Sequence, residues 1–143
     1  MRKTWFIDLD GTLLKHKTNN ELDEIIKKDP RNSHQNEELL KGVKDFFEII
    51  KDDCVVITTA RDEHHKSHTI SALHYLKIKY DKIIFGIGSA ERIVLNDIKP
   101  IGDVQNTIEL NTAFSYNLKR DGGLDQLNSN LQTNNVFTQS TST

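Results

Sequence analysis

Five short apolar runs, at residues 4–9, 54–58, 82–85, 92–96 and 113–117, constrain the fold more than any other feature of this chain. Most are nearly continuous and do not alternate with polar residues. That pattern belongs to strands covered on both faces, as in a parallel sheet. Between the first three runs lie segments of helical period. In residues 36–51 the apolar positions are Leu39, Leu40, Val43, Phe46, Phe47 and Ile50. In residues 63–79 they are Ile70, Leu73 and Leu76, with Ala72 beside them. The order strand, helix, strand, helix, strand, strand, strand predicts an α/β chain. It reads as a three-layer, Rossmann-like sandwich around a five-stranded, mainly parallel sheet. Right-handed crossovers would line the strand C-termini along one edge.

A length of 143 residues suits one domain with a real core. Residues 1–120 read as that domain and 121–143 as a polar, flexible tail. Leu124, Leu127 and Leu131 give the tail one weak turn of helix, and disorder is expected beyond it. Residues 14–35 form a polar excursion. Leu22, Ile25 and Ile26 give it one small helix. Nineteen basic against 21 acidic residues leave a net charge of −2, which argues against a general attraction for nucleic acid. The single cysteine, Cys54, cannot form an internal disulfide, and a reducing, cytoplasmic setting fits it. No signal-peptide h-region and no apolar run of membrane-spanning length is visible.

Three of the runs end in polar residues that a structural strand does not need. The first ends in Asp8-Leu9-Asp10-Gly11-Thr12, the second in Thr58-Thr59-Ala60-Arg61, and the fourth in Asn96-Asp97. Acids at i and i+2 on a strand point the same way and repel unless a cation or a proton lies between them. In an open parallel sheet such ends converge on one crevice. A double acid, a hydroxyl and a third acid meeting there make a metal and phosphate site.

These motifs resemble the haloacid dehalogenase-like (HAD) phosphatase superfamily. The resemblance covers residues 4–120. It rests on D-x-D-G-T-L at Asp8 to Leu13, T-A-R at Thr59 to Arg61 and N-D at Asn96-Asp97. It implies a small, minimally capped member with the first strand between the second and the fourth. It also implies roles that the chemistry can justify. Asp8 would be the nucleophile, forming an aspartyl-phosphate. Asp10 would be the general acid and then the base for water. Asp8, Asp10 through its carbonyl, and Asp97 would hold Mg²⁺, a hard ion that takes oxygen ligands. Thr59, with the amides of Leu9 and Gly11, would bind phosphate oxygens.

The chain departs from that family in two places. A lysine ordinarily precedes the last acid, where it binds phosphate and neutralises the nucleophile. Phe85-Gly86-Ile87-Gly88 carries none. Lys99 is the favoured replacement and Lys82 the other candidate. Asn96 stands where many members have an acid, which lowers the charge at the metal. Arg61 reads two ways, as a substrate contact or as a tie between a loop and a carboxylate. His64, His65 and His68 read more simply as a solvated helix start than as a metal site, since no acidic partner is fixed by sequence. Lys119 and Arg120 read as surface residues, and Trp5 as core.

The expected activity is Mg²⁺-dependent phosphomonoester hydrolysis of a small phosphorylated metabolite, such as a sugar phosphate or sugar-nucleotide precursor. A nucleotide or polynucleotide-end phosphatase is the second reading. A catalytically weak scaffold with a binding role is the third. An open site would accept large substrates or borrow a neighbouring subunit as its lid.

Overall fold

The computed structural model describes residues 2–133. Three parallel strands, β1 (Thr4–Asp8), β2 (Cys54–Thr58) and β3 (Lys82–Ile84), lie in the order β1-β2-β3. Helix α1 (Asn19–Lys28) falls in the excursion, α2 (Val43–Ile49) between β1 and β2, and α3 (Lys66–Tyr75) between β2 and β3. Helix α4 (Asp125–Gln132) closes the described chain. Single 3₁₀ turns span Ser33–Asn36 and Glu63–His65. Among the described residues, no helix is long and apolar enough to cross a membrane.

The strands pair in register, Ile7 with Ile57 and Ile57 with Ile83. Paired residues in neighbouring strands share a face. One face therefore carries Trp5, Ile7, Val55, Ile57 and Ile83. Onto it pack Val43 and Phe46 of α2, Leu73 of α3, and Leu124 and Leu127 at α4. Each fully buried aliphatic side chain here contributes about 1.5–3 kcal/mol. Trp5 joins this layer edge-on to Phe46 and donates its Nε1–H to Asp53 at 2.9 Å. The opposite face is open at both edges. Phe6 is 60% exposed and Ile84 is also exposed, although Val56 between them is covered.

The chain is thus a small α/β fold, and the five-stranded, three-layer sandwich is not what forms. Residues 92–96 and 113–117 are irregular. The first reason is reach. Only residues 85–91 separate β3 from residue 92, whereas a parallel crossover needs a dozen or more. The second is direction. Gly86, at φ +75°, turns the chain back over the 59–61 loop. There Gly86 N–H donates to Arg61 O and Ile87 N–H to Thr59 O, both at 2.9 Å. The third is order. Strands that add in sequence with one hand of crossover stack their helices on one face. Covering the other face requires the order to reverse beyond β1, and it does not.

The helices are shorter than their periodicity suggests, for local reasons. Gly42, at φ +80°, sets the start of α2, and residues 37–41 instead run beside Leu13 and Leu14. Lys77, at φ +60°, follows the end of α3. Helix α1 carries a capping box, in which Thr18 Oγ1 accepts from Glu21 N–H and Glu21 Oε1 from Thr18 N–H. The C-terminal segment belongs partly to the core. Leu124 and Leu127 are buried against α2, which makes α4 more than a weak turn. The expected disorder near the end concerns residues 134–143, which lie outside the described residues.

Candidate active site

Leu9 is fully buried, and its carbonyl collects the amides of Thr12, Leu13 and Leu14. The chain therefore turns sharply after β1. Gly11 makes that turn at φ +86° with its N–H on Leu14 O at 2.7 Å. A Cβ here would lie 3.0 Å from Arg120 Cγ. Glycine thus serves both the backbone conformation and the close approach. The Gly11 amide, expected on a phosphate, is spent inside the turn.

Strand parity decides which groups meet Asp8. Asp8 pairs with Thr58, so both project on the open face. Asp8 is partly exposed, and its Oδ1 accepts from Arg92 at 2.7 Å. Its Oδ2 accepts from Thr12 Oγ1 at 3.3 Å. The same Arg92 nitrogen reaches Thr58 O at 3.3 Å and Thr58 Oγ1 at 3.4 Å. Thr59, the hydroxyl singled out in the sequence, falls on the other parity. It is fully buried, and its Oγ1 accepts from the Arg61 amide at 3.1 Å.

Asp10 is held by Arg61, which is 2% exposed. Arg61 Nε and Nη2 donate to the two Asp10 oxygens at 2.9 and 2.7 Å, a bidentate fork. Its Nη1 donates to Glu37 Oε2 at 2.7 Å and Thr69 Oγ1 at 3.0 Å. Glu37 also takes Lys17 at 3.0 Å and His68 Nε2 at 2.9 Å. Burial works against the Glu37 charge. The hydrogen bonds from His68 and Arg61, with the charges of Arg61 and Lys17, outweigh it and hold the carboxyl well below its usual range. Burial likewise opposes the Arg61 charge, and the Asp10 and Glu37 carboxylates reverse that and raise its pKa. Of the two readings of Arg61, the structure takes the loop tie. It carries the site from β1 through the β2 loop to the excursion and α3.

The late acid pairs with a lysine of its own segment. The Asp97 carboxylate is exposed and bonds Lys99 Nζ at 2.9 Å. The lysine's hydrogen bond and charge lower the acid, and the acid raises the lysine in return. Lys99 is thus engaged with Asp97, and its backbone is bridged to Leu110. Lys82 is exposed and begins β3, two residues before Ile84 meets Thr58. Asp8 and Asp97 each face a side-chain cation, whereas the Arg61 fork engages the Asp10 carboxylate and not the carbonyl expected to ligate. The group missed from the sequence is Arg92. It is a cation ahead of the last acid, past the Phe85-Gly86-Ile87-Gly88 stretch where the family's lysine was expected.

No protein-family model, curated protein sequence or solved structure matches this chain.

Proposed function

We propose that the chain hydrolyses phosphomonoesters through an aspartyl-phosphate on Asp8. The observation that carries this reading is the Asp8 carboxylate. It stands partly exposed at the C-terminal end of a parallel strand, beside a guanidinium and two threonine hydroxyls. A carboxylate oxygen there attacks phosphorus and the ester oxygen departs. Water then cleaves the acyl phosphate and restores Asp8. Arg92 neutralises Asp8 against an incoming phosphate dianion and offers it donors, the part assigned to the missing lysine. Asp10, two residues on, is the acid and base. Inside its fork it has only accepting oxygens, which suits the water step. Protonating the leaving oxygen asks it to swing out of the fork.

The resemblance brings Mg²⁺ as the expected cofactor, and small phosphorylated metabolites as the expected substrates. The test is phosphate release from sugar phosphates, nucleotides and a 3′-phosphorylated oligonucleotide, with Mg²⁺ and with EDTA. Asp8→Asn is the blank. Release that vanishes in Asp8→Asn supports the reading, and EDTA decides the metal requirement. Release that Asp8→Asn retains removes the aspartyl-phosphate. A second reading, a binding scaffold without turnover, is favoured by the pairing of Asp97 with Lys99 and of Asp8 with Arg92. It predicts phosphate binding, lost in Arg92→Ala, with no release from any ester.

A further inference from the structure

His64 and His65, which in the sequence lack an acidic partner, acquire one in the fold. Asp23, on α1, comes to the 3₁₀ turn that carries both histidines. Among the described residues, these three form a group whose ligand atoms all lie within 4.8 Å of one another. Asp23 Oδ1 lies 2.6 Å from His65 Nε2 and 3.1 Å from His64 Nε2. His65 is buried, and the two rings are 3.9 Å apart between centroids.

The hydrogen-bond inventory around His65 leaves a gap. Asn19 Oδ1 accepts the Asp62 backbone N–H at 3.1 Å, and Asn19 Nδ2 donates to Ala60 O at 3.4 Å. The amide orientation is thereby set. His65 Nδ1, 3.0 Å from that same oxygen, must be the donor. In a neutral imidazole the other nitrogen then presents a lone pair. That lone pair faces a carboxylate oxygen at 2.6 Å. Two acceptors at that distance need a cation between them. One metal ion satisfies both ring nitrogens and the carboxylate together, with the two rings already 3.9 Å apart between centroids.

We propose that Asp23, His64 and His65 bind a divalent transition metal of the Zn²⁺ type, which clamps the excursion helix to the loop after β2. Two imidazoles and a carboxylate are a borderline-soft donor set, suited to Zn²⁺ and poorly suited to Mg²⁺. Bonds of about 2.0–2.2 Å in tetrahedral geometry separate ligand atoms by roughly 3.3 Å, so the group need open only slightly. Water fills the fourth position. The His65 Nδ1–H on Asn19 is the outer-shell bond that orients a ligating histidine. Asn19 in turn holds Ala60, the residue between Thr59 and Arg61. The metal stiffens that loop from behind, and the site stands independently of the proposed hydrolysis.

The experiment is Zn²⁺ titration of the chelator-treated full chain, followed by competition with a chromophoric chelator and by thermal unfolding. Co²⁺ serves as the visible probe. The expected result is one equivalent bound, a Zn²⁺-dependent rise in Tm, and the absorption of four-coordinate Co²⁺. His64→Ala should weaken binding at least about tenfold and remove the Tm rise. That side chain is exposed, so the variant is expected to fold, and far-ultraviolet circular dichroism checks it. His74→Ala, also exposed, should bind as the parent does. Equal affinity in the parent and His64→Ala would overturn the site. Absence of stoichiometric uptake would do the same and leave a proton alone between His65 and Asp23.

Discussion

Arg61 is a buried cation held by two carboxylates and a hydroxyl, and its energetics turn on keeping all of them. A buried ion pair is weak evidence of net stability, but losing one partner leaves an uncompensated charge. Glu37→Ala should therefore cost about 3–5 kcal/mol in urea unfolding. The same residue sets an acid dependence. Its carboxyl pKa is lower in the folded chain than in the unfolded one. The associated stability is complete above the unfolded value, about 4.3, and drains away as pH falls below it. Tm measured from pH 7 down to pH 3 should fall less steeply in Glu37→Gln than in the parent. At the neighbouring acid, Arg92→Ala should lower turnover of any phosphate ester that Asp8 cleaves, because Asp8 loses its counter-charge. Steady-state phosphate release checks this.

The joint between α2 and α4 depends on backbone approach more than on side chains. Gly42 precedes α2 at φ +80°, and a Cβ on it would stand 2.5 Å from Asp125 Oδ1 and 2.9 Å from Asp125 N. Its carbonyl also accepts from Asn128 Nδ2 at 2.9 Å. Gly42→Ala adds left-handed strain of about 1–2 kcal/mol to a clash with backbone. The expected loss is at least that, read from urea midpoints. Gly88→Ala is the contrast. It meets nothing within 4 Å, has no left-handed φ, and should change stability by less than about 0.5 kcal/mol.

At the scale of the molecule, a two-layer body carries a sheet face open at its edges and a long irregular stretch from residue 85 to 124. Ile93 and Leu95, expected inside a strand, are 83% and 93% exposed. The stability should reside on the helical side. Leu127→Ala, beneath α4, is expected to cost about 2–5 kcal/mol. Phe6→Thr, on the open face, should cost less than about 0.5 kcal/mol. Equal losses at the two positions would mean that the open face is covered in solution.

The sequence by itself determined what period and spacing can encode. The first three apolar runs are strands at their expected places, with helical segments between them, because local patterning selects strand or helix before any tertiary contact forms. Asp8 and Asp10 at the exit from β1 were legible for the same reason. Tertiary structure decided the rest. Whether residues 92–96 join the sheet depends on how far the chain after β3 can reach. Whether Thr58 or Thr59 stands beside Asp8 depends on interstrand register. That Arg61 belongs to Asp10 and Glu37, Arg92 to Asp8, and Asp23 to His64 and His65 could not be read from one dimension. Each pair spans 24 residues or more of chain, and a charge's partner is chosen by where folding leaves it.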